Sequence, residues 1–216
     1  VASRALFGSC LHIIREILPK YGIEHVLVDG TDLEQWKQAL SKKTKCVFLE
    51  SPSNPCLEII DIRAVCDLAH EAGALVIVDN VFATPVLQRP LELGADIVMY
   101  SGTKHIDGQG RTMGGAILTN NAEFVEDCLV PFFRHTGPSL SPFNAWVMLK
   151  GLETIDLRVA RHSENAHAVA EFLSKQKGIT KVLYPGLESH PQHDLAMSQM
   201  SSGSTIVSFE VDGGKE

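Results

Sequence analysis

Strand-length apolar runs alternating with helix-period segments constrain this chain more than anything else in it. Residues 46–49, 75–78 and 97–99 are apolar throughout rather than at every second position. A strand with one wet face alternates, whereas one covered on both faces does not. The segments between the runs have helical spacing and recognisable ends. Asp32 and Asp61 stand where N-caps would, and Gly73 where a helix would stop. Strands are predicted at 24–28, 45–50, 75–79, 96–99 and 116–119, with helices at 11–21, 33–40, 62–72, 86–93 and 122–133. The alternation predicts an α/β domain with a mainly parallel sheet.

From Pro142 to Phe172 the spacing is helical, with a break expected at Gly151. Strands at 179–184 and 204–211 then flank a short helix at 195–200. The change of pattern divides the chain into a large α/β domain, residues 1–155, and the beginning of a smaller α+β domain, residues 156–216. The chain opens on Val1 rather than Met, so it is expected to belong to a longer protein.

Composition removes several function classes. A formal net charge of −7 leaves no basic stripe for nucleic-acid phosphates. No apolar run is long enough for a transmembrane helix. Cys10, Cys46, Cys56, Cys66 and Cys128 are odd in number and lack CxxC spacing. They read as reduced, mostly buried thiols of a cytoplasmic protein. His190 and His193 have the spacing of metal ligands on a helix, but Pro191 interrupts them and no HExxH follows. A surface pair without metal is expected.

Ligands of parallel sheets collect outside the carboxyl ends of the strands. Three polar motifs fall there: Glu50-Ser51-Pro52-Ser53-Asn54-Pro55, Asp79-Asn80-Val81-Phe82-Ala83-Thr84-Pro85 and Tyr100-Ser101-Gly102-Thr103-Lys104-His105. Desolvation in a pocket at such an end would make the Lys104 amine a usable nucleophile. A carboxylate flush with the end of a buried strand, as at Asp79, needs a partner. A Schiff-base lysine and a carboxylate for a pyridinium nitrogen are the two electronic requirements of pyridoxal 5'-phosphate chemistry. No Walker loop or GxGxxG fingerprint competes with that reading.

The three motifs, in this order, closely resemble the Cys/Met-metabolism family of pyridoxal-phosphate enzymes of fold type I. Gly151-Leu152-Glu153-Thr154 and Tyr184-Pro185-Gly186-Leu187-Glu188-Ser189-His190-Pro191 extend the resemblance over essentially the whole chain. It implies Lys104 as the Schiff-base lysine and Asp79 as the partner of the ring nitrogen. Ser101 and Thr103 become phosphate-binding hydroxyls, and Asn54 the hydrogen-bond partner of the cofactor's phenolic oxygen. Phe7 falls where most members carry a Tyr stacked on the ring; simple core packing is its alternative reading. Without a phenol, proton transfer must fall to Lys104 or another group. The role of Glu50 stays open.

Phe7, the loop Ile106-Asp107-Gly108-Gln109-Gly110-Arg111 and Arg134-His135-Thr136-Gly137-Pro138 are similar to the O-succinylhomoserine sulfhydrylase branch. Arg111 either shapes a substrate entrance or is an exposed loop arginine. The resemblance implies γ-replacement on an activated homoserine, O-succinylhomoserine and sulfide giving homocysteine and succinate in methionine biosynthesis. Cystathionine γ-synthase, a γ-lyase and a non-catalytic module are the alternatives. It also implies a cytoplasmic homotetramer built as a dimer of dimers. Parts of the family's site outside these residues imply that they are not fully active alone.

Overall fold

The computed structural model describes residues 1–213; the last three positions of the predicted second domain lie outside the described residues. Among these, six strands form one sheet: β1 (Ala2–Ser3), β2 (Leu27–Val28), β3 (Cys46–Glu50), β4 (Leu75–Asp79), β5 (Ile97–Ser101) and β6 (Gly115–Leu118). Their spatial order is β2-β1-β3-β4-β5-β6. Every pairing is parallel except that of β5 with β6. The mainly parallel α/β sheet is as expected. The two-residue β1 between β2 and β3 was not, because two residues carry no periodicity. The strand expected at 24–28 pairs only over Leu27 and Val28.

The helices are α1 (Gly8–His12), α2 (Leu33–Ala39), α3 (Ile62–Glu71), α4 (Thr84–Leu87), α5 (Ala122–Phe124), α6 (Val130–Thr136), α7 (Pro142–Leu152), α8 (Ile155–Leu173) and α9 (His193–Gln199). Both predicted caps form: Asp32 accepts from the N–H groups of Glu34 and Gln35, and Asp61 from that of Ala64. α3 buries Ile62, Val65, Cys66 and Ala69 against Val47, Leu49, Val76 and Val78 of the central strands. Each large aliphatic side chain so buried contributes about 1.5–3 kcal/mol. Trp36 of α2 is fully buried and donates its indole N–H to the Gly30 carbonyl at 2.9 Å.

Several boundaries differ from the periodicity. The helix expected at 11–21 starts earlier, at Gly8, widens into a π turn at Ile13–Ile17 and tightens into a 3-10 turn at Leu18–Tyr21. Pro19 has no N–H to continue an α ladder. The break between α7 and α8 falls at Glu153 and Thr154 rather than at Gly151. The helix expected at 86–93 divides into α4 and a 3-10 turn, Pro90–Leu93.

Beyond α8, β7 (Ile179–Leu183) and β8 (Ser208–Val211) form a separate antiparallel pair. α9 returns to the large sheet's side. The Gln199 side chain accepts from the Ile62 N–H and donates to the Ile60 carbonyl, and Gln192 engages both backbone groups of Ile59. His190, expected at the surface, is buried under this seam. Its Nε2 lies 3.1 Å from the Leu57 carbonyl and its Nδ1 accepts from the Gln192 N–H. The thiols are also less buried than expected: all five are free, but Cys46, Cys56 and Cys128 are exposed and only Cys66 is buried. Cys46 opens β3, Cys56 sits in the turn after Pro55 and Cys128 lies in the π turn Val125–Leu129.

Candidate active site

Adjacent parallel strands bring the three motifs to one edge. Glu50 is the register partner of Asp79, and Asp79 that of Met99, so β3, β4 and β5 end side by side. Beyond β3 the loop is held by buried serines: Ser51 Oγ accepts from the Ile60 N–H and Ser53 Oγ from the Glu58 N–H. Asn54 follows, half-buried, with the Ser51–Pro52 and Asn54–Pro55 bonds both cis. Behind Asp79, the Asn80 amide donates to the Thr84 and Gln88 carbonyls and to the Tyr100 hydroxyl. Gln88 donates in turn to Asn80 Oδ1 and to the Ser51 carbonyl. This buried network ties the ends of β3, β4 and β5 together, which keeps the edge rigid.

Lys104 sits in a tight turn immediately after β5. Its N–H donates to the Ser101 carbonyl at 3.3 Å, and its carbonyl accepts from the Gly108 N–H at 2.8 Å. Ser101 Oγ and Thr103 Oγ1 are 2.6 Å apart and half-buried beside it. The Lys104 side chain is exposed. The expected desolvating pocket is therefore not supplied by the residues described, none of which buries the Lys104 side chain.

The turn is clamped from behind by Arg158 of α8. Its guanidinium donates to the His105 carbonyl at 2.7 Å, to the Gly151 carbonyl at 2.6 Å and to Thr154 Oγ1 at 3.1 Å. A Cβ on Gly151 would lie 2.0 Å from the Ile106 carbonyl oxygen, so only glycine lets α7 come this close. His105 is half-buried, with Nε2 2.8 Å from Thr205 Oγ1. Burial, and then neighbouring His162, push its imidazole down to about 4. Arg111 is exposed, as a loop arginine would be, but its guanidinium does not hang free. It folds back on buried Asp107, with Nε 2.9 Å from Oδ1 and Nη2 3.1 Å from the carbonyl, and closes the loop on itself.

Two carboxylates define the electrostatics. Asp79 is 6% exposed; its Oδ1 accepts from the Val81 N–H at 3.1 Å. Burial raises its pKa to about 6, against the opposing pull of that N–H and of the Lys104 ammonium. Glu50 is 2% exposed and is pushed up to about 7, by burial first and with a contribution from the Asp79 charge. Its Oε2 accepts from the Phe7 N–H at 2.6 Å and its Oε1 from the Asn54 N–H at 3.0 Å. Phe7 is the N-cap residue of α1, and its ring is 47% exposed. The core-packing alternative for Phe7 is thus wrong: the ring projects from the start of α1 instead of joining the core.

A family model described as Cys/Met metabolism PLP-dependent enzyme matches residues 1–216. The chain belongs to that family. It is 55% identical over 212 residues to O-succinylhomoserine sulfhydrylase of Mycobacterium tuberculosis, covering 98% of this chain and 52% of that protein. It is 42% identical over 217 residues to an L-methionine gamma-lyase of Fusobacterium nucleatum, covering 100% and 55%. The crystal structure of metB from Corynebacterium glutamicum superposes with a TM-score of 0.96 at 38% identity, over 99% of this chain and 55% of that one. The chain spans about half the length of the curated relatives it matches.

The family is pyridoxal-phosphate-dependent, and the residues present fit that group. Among the described residues, Asp79 Oδ2 accepts no hydrogen bond, which leaves a buried anion able to face a protonated ring nitrogen. The amine of Lys104 and the hydroxyl pair Ser101–Thr103 share the edge with it. Two contributors escaped the sequence reading. Glu50 was placed there without a function, although its position in a Glu-Ser-Pro motif marked it. Arg158 carried no local signal at all, since it reads as one more polar residue on a helix.

Proposed function

We propose that this chain contributes the cofactor-binding half of an enzyme that replaces the γ-substituent of an activated homoserine. O-succinylhomoserine and sulfide would give homocysteine and succinate. The observation that carries this is the exposed Lys104 amine sharing a strand edge with the buried carboxylate of Asp79, which forms no ion pair among the described residues. The finer assignment is supported by the 55% identity to a protein named O-succinylhomoserine sulfhydrylase.

Pyridoxal phosphate, when bound, supplies a conjugated ring that takes up electron density from the substrate's Cα. Lys104 would hold it covalently through Nζ, and Asp79 would hold the proton on its ring nitrogen. Ser101 and Thr103 would take the phosphate, Asn54 the phenolic oxygen and Phe7 one face of the ring. Once released, Lys104 Nζ would be the base suited to remove the Cα proton and, after handing that proton on, to take one from Cβ, which lets succinate leave from Cγ. Phe7 has no hydroxyl to share that work. Removing either proton needs the free amine, and the open edge around Lys104 leaves room for it to move.

We divide the chain for this purpose into residues 1–155, which carry the site, and a second unit from residue 156. Exposed Phe132, Phe143, Trp146 and Leu149 on α6 and α7 support a homo-oligomer. Five unpaired thiols support a reducing, cytoplasmic setting. Product analysis tests the reaction. With O-succinylhomoserine, sulfide should yield homocysteine in preference to a 2-oxo acid. Cystathionine from cysteine, or elimination at an equal rate without sulfide, would reassign it.

A further inference from the structure

We propose that Glu50 is a positioning residue that sets Phe7 and Asn54 at once, so that one buried carboxylate holds two walls of the cofactor site. The inference rests on the reading of Lys104 as the cofactor lysine, which it extends to residues remote in sequence. Glu50 is 2% exposed, and each of its oxygens is engaged by a different segment: Oε2 by the Phe7 N–H at 2.6 Å, Oε1 by the Asn54 N–H at 3.0 Å. Among the described residues no Lys, Arg or His forms an ion pair with it. Its nearest charged strand neighbour is the like-charged Asp79, opposite it in register.

A carboxylate in such a place is costly, and an apolar residue would serve a merely structural strand end better. The chemistry of the two donors explains why glutamate stands here. Two N–H groups converge on one side-chain terminus, so both of its heavy atoms must accept. Glutamate offers two acceptors; glutamine offers one and would point an NH₂ at the other donor. The Phe7 N–H has Glu50 as its acceptor, and the α1 N-cap has no side-chain cap bond of its own. The ring of Phe7 and the amide of Asn54 are therefore registered to each other through a single group, at the base of the strand next to Asp79.

Glu50→Gln in the whole protein tests this. One of the two amides, Phe7 or Asn54, should lose protection from hydrogen exchange by about tenfold or more, the size of one hydrogen bond to a charged group. Pyridoxal phosphate should bind about tenfold more weakly, with its visible absorbance displaced, while Lys104 still gives that absorbance at saturation. Unchanged protection of both amides with unchanged cofactor affinity would overturn the inference. Absence of the visible band in the unsubstituted protein would instead sink the cofactor reading, so the two failures are distinct. Should the variant not fold, exchange in the unsubstituted, cofactor-free protein decides: a slow Phe7 amide supports the bond to Glu50, and a fast one refutes it.

Discussion

Glu50 and Asp79 face each other across β3 and β4 as register partners, two buried carboxylates at the ends of adjacent parallel strands. Among the described residues neither carboxylate forms an ion pair, and burial holds both well above their ordinary range although the Lys104 charge opposes it at Asp79. Such a pair is unfavourable in the folded apoprotein and useful only if something cationic arrives.

An acid whose folded pKa is raised keeps a proton that the unfolded chain has already lost, so stability falls as pH rises between the two values. For Glu50 that window runs from 4.5 to about 7. His105 and His190, held down by burial, act in the opposite sense, and Asp79, raised to about 6, in the same sense. All three are common to wild type and Glu50→Gln, so the comparison cancels them apart from the repulsion between Asp79 and Glu50, which belongs to the Glu50 effect. Relative to that variant, the cofactor-free wild type should lose stability between about pH 4.5 and about 7, by ~3 kcal/mol. Urea midpoints at pH 5 and pH 8 measure it, and a constant difference would mean that Glu50 does not titrate there.

Lys104→Ala should abolish the visible absorbance of the loaded protein and reduce turnover by at least about 1,000-fold. Because the side chain is exposed, unfolding free energy should change by less than about 0.5 kcal/mol. Absorbance spectra, kinetics and a denaturant titration check the three parts. A band that survives the substitution would move the reactive amine elsewhere.

Asp79→Asn keeps an acceptor for the Val81 N–H but removes the negative charge. Cofactor affinity should fall by about 10- to 100-fold, and exchange of the substrate's α-proton should slow. The cofactor-free protein should be at least as stable as wild type at pH 8, since a buried charge has gone. Loss of stability without loss of affinity would make Asp79 structural.

Arg158→Met strands the His105 and Gly151 carbonyls, and should cost about 2–3 kcal/mol in unfolding free energy. Arg158→Lys should recover only part of it, because an ammonium cannot reach diverging acceptors as a planar fork does. The visible band of Lys104 should broaden or shift in both variants. Full rescue by lysine would show that charge alone is at work.

The sheet, its parallel sense and the edge where the three motifs meet were legible because apolar runs, caps and Gly stops are local signals. Asp32, Asp61 and Gly73 did as their neighbours dictated. What was not legible depends on contacts between distant segments. β1 is two residues long and exists only because β2 and β3 flank it. His190 is buried because α9 returns to the loop at Leu57. The exposure of Lys104 follows from what covers it, which no residue near it in sequence reveals.

Arg158 joins the helix that leads to the β7–β8 pair directly to the backbone one residue beyond Lys104. α8 and the Lys104 turn are thus mechanically in series: a slide or rotation of that helix by a fraction of its pitch would be passed to the turn through the Arg158 hydrogen bonds. Substitutions far along α8 would then displace the Lys104 turn without touching any residue beside it in sequence.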